Sequence, residues 1–325
     1  PLSIFGLTII FYFGERIIYF VKSNIFDLEF FFILFSSIFI AYKMNRYSGY
    51  GNDNTTHLLY FFLISILLNK DFKKNFDLIF YFSIFIFLNK NTYILTLLIP
   101  LIYFFKNKVY LNNSEIIKKI ISPYTLFLIL WLFKNIIISG CMIYPISASC
   151  FSKLEWSDNK KNIKQEAVAG EAWAKGWPQY EGNLNQEEFN KKFNWINSWS
   201  KVHLKKINKI LSPYIVFLVI ILTTILLNRN KKDFIEKDKD FKLIILFNIF
   251  FVFIFFIKFP LLRYGLSYIV SLIILLFISS IKTYNTWYVK KLSKFLLVLL
   301  IFIFTSKQFI KIEKNFHHDY INKPW

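Results

Sequence analysis

The sequence predicts an all-α membrane protein, a bundle of about nine to ten transmembrane helices that carries one large external loop. Hydrophobic residues make up 55% of the chain, with 41 Phe, while charged residues make up only 18%. Apolar runs recur along nearly the whole chain, separated by short breaks rich in Lys and Asn. Because an α-helix rises about 1.5 Å per residue, such runs approach the ~30 Å hydrocarbon thickness of a bilayer. This composition excludes a soluble enzyme, a secreted disulfide scaffold and a disordered chain.

Ten apolar segments are the predicted membrane helices. They span residues 1–20, 28–42, 55–68, 77–88, 92–105, 120–139, 211–228, 243–257, 265–281 and 295–309. Several are shorter than the roughly 20 residues of a perpendicular span, and snorkelling Lys and Tyr side chains lengthen them. The weakest division is at residues 89–91, since one helix over 77–105 would move every earlier segment to the other side of the membrane.

The distribution of Lys and Arg predicts the orientation. With residues 140–210 outside the cytoplasm, the short inner loops carry 18 basic residues and the short outer segments carry 8. Because short cytoplasmic loops accumulate Lys and Arg, this bias predicts a multi-pass protein whose long loop over 140–210 is extracytoplasmic, facing the periplasm or the cell exterior. The chain then divides into N-terminal helices (1–139), the external loop or cap (140–210), and C-terminal helices with a tail (211–325).

The net charge of +20 lies at the ends of the apolar runs, so it predicts contact with the lipid bilayer and no nucleic-acid partner. The chain opens Pro1-Leu2-Ser3, without Met and without a signal peptide. We expect a fragment that lacks its N-terminus.

Two helices are expected in the external loop. Asn185 followed by Glu188 is typical of a capping box, and the apolar spacing beyond it predicts an amphipathic helix in the membrane interface. Residues 157–175 form a second predicted helix, which Gly176 ends. The loop's Trp and Tyr residues, Trp195 and Trp199 among them, fit interface anchors, and the alternative is a surface on which a sugar stacks.

Cys141 and Cys150, the two cysteines of the chain, both lie at the start of this loop. In an oxidising compartment their spacing predicts a small disulfide loop, which would contribute about 2–3 kcal/mol in the chain-entropy model. The alternative is two free thiols, as expected if the loop were cytoplasmic.

Two short segments carry candidate chemistry on the external side. In the loop from Arg46 to His57, Asp53 lies at the start of the next span with His57 one turn later, which suits a general base or a cation ligand. The alternative for Asp53 is a helix N-cap. The second segment runs from Lys258 to Gly265. Arg263 lies in a short turn of this segment and suits the binding of a phosphate. The alternative is that its side chain snorkels to lipid headgroups.

Common cofactor motifs are missing from the sequence. It contains no Walker A motif, no Gly-rich dinucleotide loop, no HExxH and no cysteine pair at zinc spacing, so no cofactor is predicted. The run His317-His318-Asp319 could hold a divalent metal, and the alternative is a solvated tail.

The segment Ser139 to Pro145, followed by Cys150-Phe151 and Leu154-Glu155-Trp156, resembles a group of bacterial polytopic proteins. These are uncharacterised membrane proteins related to the GT-C glycosyltransferases, including the family 39 mannosyl and aminoarabinose transferases. The resemblance covers roughly residues 45–265 and extends, more loosely, to Gly51-Asn52-Asp53 and to Pro260 followed by Arg263-Tyr264-Gly265.

The resemblance implies a helical membrane fold that binds a polyprenyl-phosphate-linked sugar and a glycan or lipid acceptor. It makes Asp53 the candidate catalytic acid by position, with His57 beside it. The substrate-binding candidates are Lys258, Arg263, Tyr264, Arg46, Asn52, Glu155 and Trp156. The acidic motif that the family carries in its first external loop is not evident here.

With the resemblance, the sequence predicts a GT-C-type glycosyltransferase of the cell envelope that assembles surface polysaccharide or modifies an envelope glycolipid. Three alternatives stay open: a polysaccharide polymerase or ligase of the O-antigen type, a flippase or transporter of lipid-linked sugars, and a non-catalytic membrane scaffold. No related halves with broken helices, which transporters often show, are evident in the sequence.

Overall fold

The computed structural model describes residues 2–44, 53–69, 72–106, 121–229, 233–237 and 239–316. Over these residues the fold is all-α apart from one antiparallel ribbon of β1 (Asp233–Phe234) and β2 (Thr283–Tyr284). The helices are α1 (Leu2–Ser23), α2 (Leu28–Lys43), α3 (Asp53–Leu68), α4 (Phe72–Asn89), α5 (Leu98–Lys106), α6 (Pro123–Ser139), α7 (Lys160–Ala174), α8 (Gln186–Asn190), α9 (Ile196–Trp199), α10 (Lys205–Leu227), α11 (Lys239–Lys258), α12 (Leu262–Ser280) and α13 (Thr286–Phe316).

Each of the ten predicted apolar segments overlaps helical structure. The predicted division at residues 89–91 is also present. Lys90 has an extended backbone (φ −152°), and a 3₁₀ helix over Asn91–Leu97 leads into α5. The prediction of separate helices on either side of Lys90 is confirmed.

Four helices are long and apolar enough to cross a membrane: Ile4–Ser23, Ile196–Leu227, Lys239–Lys258 and Leu262–Ser280. Four further apolar helices of 10–17 residues are shorter than a usual span. Among the described residues, length and composition therefore support four of the nine to ten predicted spans. Apolar side chains such as Phe11, Phe133 and Phe253 are more than half exposed, as expected of surfaces that face lipid.

The chain divides into two compact units. The first comprises Pro1–Phe72, Ile210–Asn248 and Ser267–Trp325, and the second comprises Lys73–Lys209 and Ile249–Leu266. The three-part division derived from the sequence stays a prediction.

The first unit is built around α2 and α3, which pack on each other and on α1. Almost every residue of α2 is buried, from Leu28 to Ala41, and α3 is buried from Thr55 to Leu68 apart from Phe62. A helix that is apolar and buried on all sides belongs to the centre of a bundle, and these two helices form the core of this unit.

One ion pair lies within this apolar core. Arg16 on α1 donates to both carboxylate oxygens of Glu29 on α2, at 3.0 Å each. The Asn69 amide, just beyond α3, donates to the same carboxylate at 3.0 Å. Because Glu29 is buried, these hydrogen bonds offset the cost of removing its charge from water and fasten α1 and α2 to the end of α3.

In the second unit, α7 and α8 form the folded part of the long loop over 140–210, which keeps the name external loop from its predicted location. Phe189 and Trp195 are buried with Ala172, and Trp177, Tyr180, Trp199 and Phe256 pack around them. The predicted helix over 157–175 is confirmed as α7, with Asn159 as its N-cap and Gly176 (φ 92°) after its end. Trp195 belongs to this core, so the prediction that it anchors in the membrane interface is wrong for this residue.

The amphipathic helix predicted from residue 185 onward is broken. The capping box of Asn185 and Glu188 forms, but α8 ends at Asn190, and Lys192 and Phe193 adopt left-handed backbone conformations (φ 49° and 61°). The break turns the chain so that Phe189 and Trp195 both enter the buried cluster. The helix that begins at Ile196 continues without interruption to Leu227 through a π-helical turn at Ser200–Leu204.

Candidate functional site

The turn that joins α11 to α12, in the second unit, has a defined backbone. The N–H of Phe259 donates to the Phe255 carbonyl at 2.9 Å, and the N–H groups of Leu261 and Tyr264 donate to Phe259 and Leu261 at 2.7 Å. These bonds close a short loop that places Arg263 in the first turn of α12.

Two tryptophans of the external loop and one glycine hold this turn. The Trp199 indole N–H donates to the Pro260 carbonyl at 2.7 Å, and the rings of Trp195 and Trp199 pack on Phe256 at centroid distances of 5.3 and 5.2 Å. A Cβ on Gly265 would lie 2.5 Å from the Phe255 ring, so only glycine permits α11 and α12 to approach this closely.

Arg263 is an exposed cation of the turn. Its guanidinium donates to the Tyr264 hydroxyl at 2.9 Å and lies 4.9 Å from the Tyr264 ring and 6.0 Å from the Trp173 ring on α7. Among the residues that the structure describes, no carboxylate pairs with it. An exposed guanidinium between two aromatic rings keeps its donor fork available for an anion.

Lys90, which the sequence did not single out, supports the same turn from the break between α4 and α5. Its ammonium donates to the Arg263 carbonyl at 3.0 Å and lies 4.7 Å from the Tyr264 ring. Lys90 is buried, so its charge is held next to Tyr264 inside the protein. The available sequence signal was a lysine between two asparagines where a helix breaks, and charge counting treated it as a loop residue.

Lys258 shares a carboxylate with a second lysine. Its ammonium lies 3.4 Å from Glu171 Oε2, while Lys175 lies 2.5 Å from Glu171 Oε1. Lys175 also donates to the Asn190 carbonyl and lies 5.0 Å from the Trp195 ring. Burial lowers the pKa of Lys175, and the contacts with Glu171 oppose that shift. Glu171 therefore holds two cations of the second unit, Lys175 and Lys258.

A disulfide joins Cys141 and Cys150 where the external loop begins. The Met142 and Phe151 N–H groups donate across the loop to the Ser149 and Gly140 carbonyls, at 3.0 and 2.8 Å. The buried disulfide packs on Ile163 of α7, which attaches the end of α6 to the cap.

Trp156 hydrogen-bonds to the Ile136 carbonyl at 3.1 Å, so its indole N–H holds the loop to α6. Glu155 beside it is exposed. Their predicted role in substrate binding stays a prediction.

The model of one protein family matches residues 2–270, which is most of the chain; its description is "Domain of unknown function (DUF8201)". The chain belongs to the DUF8201 family. The matched part of this DUF8201 chain includes the disulfide, α7 and the turn with Arg263. No curated protein and no solved structure matches the chain.

The two predicted catalytic residues lie in the first unit of the DUF8201 chain. Asp53 is the first residue of α3 and is half-buried. His57, one turn later, is buried, and its Nδ1 lies 3.2 Å from Ser267 Oγ. Their joint action with Arg263 stays a prediction. Arg46 and Asn52, the other substrate-binding candidates, lie outside the described residues, as do His317 and His318.

The first unit also contains a cavity of about 530 Å³ that the sequence did not indicate. Its polar lining includes Asp27, Asn69, Glu236, Asp240 and Tyr284. Burial raises the pKa of the Tyr284 hydroxyl, and nearby Asp233 and Asp27 add to the shift. Across the described part of the chain, no group of three or more His, Cys, Asp or Glu residues is arranged to hold a metal ion.

Proposed function

We propose that this protein is a multi-pass membrane protein of the bacterial envelope that binds a lipid-linked sugar phosphate on the extracytoplasmic side and transfers the sugar to a glycan or lipid acceptor. The observation that carries the proposal is the exposed guanidinium of Arg263, held in a short turn between the Tyr264 and Trp173 rings. This turn lies at the ends of two helices that are long and apolar enough to cross a membrane.

The geometry suits an anion with two acceptor oxygens, such as a phosphate. A guanidinium presents parallel N–H donors to two phosphate oxygens, and Lys258 adds a second cation on the same turn. The turn's backbone bonds and the Trp199 contact fix these groups before a ligand arrives, so little ordering is required on binding. A lysine that snorkels from a free helix end has no such support.

The resemblance to GT-C enzymes supports the choice of reaction. The acceptor hydroxyl oxygen attacks the anomeric carbon, a new glycosidic C–O bond forms, and the bond from that carbon to the phosphate oxygen breaks. The polyprenyl phosphate leaves with the bonding electron pair, next to Arg263 and Lys258, which stabilise its charge. The hydroxyl proton passes to a general base as the new bond forms.

Phosphate binding at Arg263 can be tested directly with undecaprenyl phosphate in lipid nanodiscs. Arg263→Ala removes charge-assisted hydrogen bonds worth roughly 1.5–3 kcal/mol, so we expect binding to weaken about 10- to 100-fold. Arg263→Lys should recover only part of the loss, because an ammonium cannot bind bidentately. Arg229→Ala, at an exposed arginine beyond α10, is the matched control. Equal binding by wild type, R263A and R229A would refute the site.

The reaction is tested by transfer of radiolabelled sugar from a polyprenyl phosphate to envelope fractions. Transfer of a single sugar that is lost in Arg263→Ala supports the transferase. A ladder of products or whole-chain transfer would indicate a polymerase or ligase, and movement of the lipid without covalent change would indicate a flippase.

A further inference from the structure

A groove of about 880 Å³ opens on the external loop, between α7 and the segment from Trp177 to Glu187. The groove belongs entirely to the second unit. Neither the sequence motifs nor the proposed phosphate site accounts for it.

Most of the groove's polar lining consists of planar side chains. Asn162, Gln165 and Glu166 come from α7, and Gln186 and Glu187 come from the start of α8. Within the part of the chain that the structure describes, no residue hydrogen-bonds to these five side chains. Each amide side chain offers N–H donors and an acceptor oxygen, and each carboxylate offers two acceptor oxygens. The five side chains together therefore match a ligand with neighbouring hydroxyl groups, because each hydroxyl both donates and accepts a hydrogen bond.

Trp177 forms an aromatic wall of the groove and is held rigidly. Its ring stacks on Tyr180 (centroids 5.5 Å, interplanar angle 25°) and meets the buried Phe189 ring edge-on at 5.1 Å. A fixed indole next to a few converging polar groups binds ligands that have both an apolar face and polar edges. A sugar ring has this chemistry, with C–H groups on its face and hydroxyls at its rim.

The face of α7 that lines the groove continues along the helix to Trp173, next to the turn that carries Arg263. Asn162, Glu166, Ala169 and Trp173 are three or four residues apart along α7 and therefore share one side of the helix. The strip from Asn162 to Trp173 is about 16 Å long at 1.5 Å per residue. It ends at Trp173, whose ring is 6.0 Å from the Arg263 guanidinium.

We infer that this groove binds an uncharged oligosaccharide, with the end of the saccharide that reacts directed towards Arg263. The inference rests on the proposed function for the role of Arg263, while the groove's own chemistry stands on its lining. Glu166 and Glu187 repel acidic glycans, so the groove selects neutral saccharides over uronic-acid or sulfated ones.

A glycan array that carries neutral and acidic oligosaccharides, probed with the full chain in nanodiscs, tests the inference. We expect binding to neutral oligosaccharides and weaker or no binding to acidic ones. The double variant Gln165→Ala/Gln186→Ala removes two amides without touching the Trp177 stack, and it should weaken binding about tenfold. Gln179→Ala changes an exposed amide outside the groove and is the matched control.

Failure to bind any neutral oligosaccharide would overturn the inference, as would a preference for acidic glycans or unchanged binding by the double variant. The specificity of binding gives a second measurement. The double variant Glu166→Gln/Glu187→Gln should bind acidic glycans while it still binds neutral ones. Undecaprenyl phosphate binding, measured in parallel on wild type, tests the proposed function separately. Saccharide binding without phosphate binding would refute the proposed function and support the groove.

Discussion

Replacing Glu171 by Gln should destabilise the folded external loop strongly. The Lys175 side chain is only 1% exposed, and its ammonium lies 2.5 Å from the Glu171 carboxylate. Removal of one partner from a buried ion pair typically costs about 3–5 kcal/mol. Glu171 is itself 18% exposed, and Lys175 keeps the Asn190 carbonyl and the Trp195 ring as partners. We therefore expect Glu171→Gln to lower the free energy of unfolding by about 2–3 kcal/mol.

The effect should depend on pH in a defined direction. Burial lowers the pKa of Lys175, so the folded state binds its proton more weakly than the unfolded state. The resulting destabilisation is present below the folded-state pKa and disappears as pH rises towards the usual lysine value of about 10.4. Glu171→Gln removes a contact that raises this pKa, so the stability difference between variant and wild type should be largest near neutral pH and shrink as pH rises towards the usual lysine value.

Denaturant unfolding in mixed micelles, followed by tryptophan fluorescence, measures this effect because Trp195 lies 5.0 Å from the Lys175 ammonium. Lys175→Met in the Glu171→Gln background removes the unpaired ammonium and should restore much of the stability. Glu181→Gln, at an exposed position of the same loop, is the matched control. A Glu171→Gln protein within about 0.5 kcal/mol of wild type, or a double variant no more stable than the single one, would refute the reasoning.

Three further predictions concern other contacts. Gly265→Ala places a Cβ 2.5 Å from the Phe255 ring, so we expect a loss of about 1–3 kcal/mol in unfolding free energy together with weaker phosphate binding. Cys150→Ser opens the disulfide loop and should cost about 2–3 kcal/mol, and treatment of wild type with a reductant should reproduce the loss. Glu29→Gln leaves the Arg16 guanidinium without its carboxylate and should cost about 3 kcal/mol, detected as faster proteolysis of the folded chain in nanodiscs; resistance equal to wild type would contradict it.

Helix positions were predictable from the sequence because long apolar runs and short polar breaks alternate. Even the break at Lys90 is present. The course of the chain between Asn185 and Ile196 was not predictable, because local periodicity favours one continuous helix there. The left-handed conformations of Lys192 and Phe193 arise from tertiary packing, since they allow Trp195 to enter the core formed with Phe189.

Part of the candidate site was also predictable. A short turn with Pro260 and Gly265 indicated a fixed Arg263, and the structure shows such a turn. The contacts of Lys90 and Trp173 with Arg263, and of Glu171 with Lys258, were not predicted. Lys90, Trp173 and Glu171 are distant from Arg263 in sequence, and one chain alone carries no signal that pairs residues so far apart.

The shortness of several apolar helices has a consequence for the membrane in which the protein works. α3 has 16 residues and α6 has 17, which gives lengths of roughly 24–26 Å against a typical hydrocarbon thickness of ~30 Å. No residue of the described helix α6 is fully buried, and its exposed side chains, such as Phe127 and Phe133, would face lipid in the proposed bilayer setting. Such a mismatch favours thin bilayers, and stability and activity should be higher in nanodiscs of short-chain lipids than in long-chain ones.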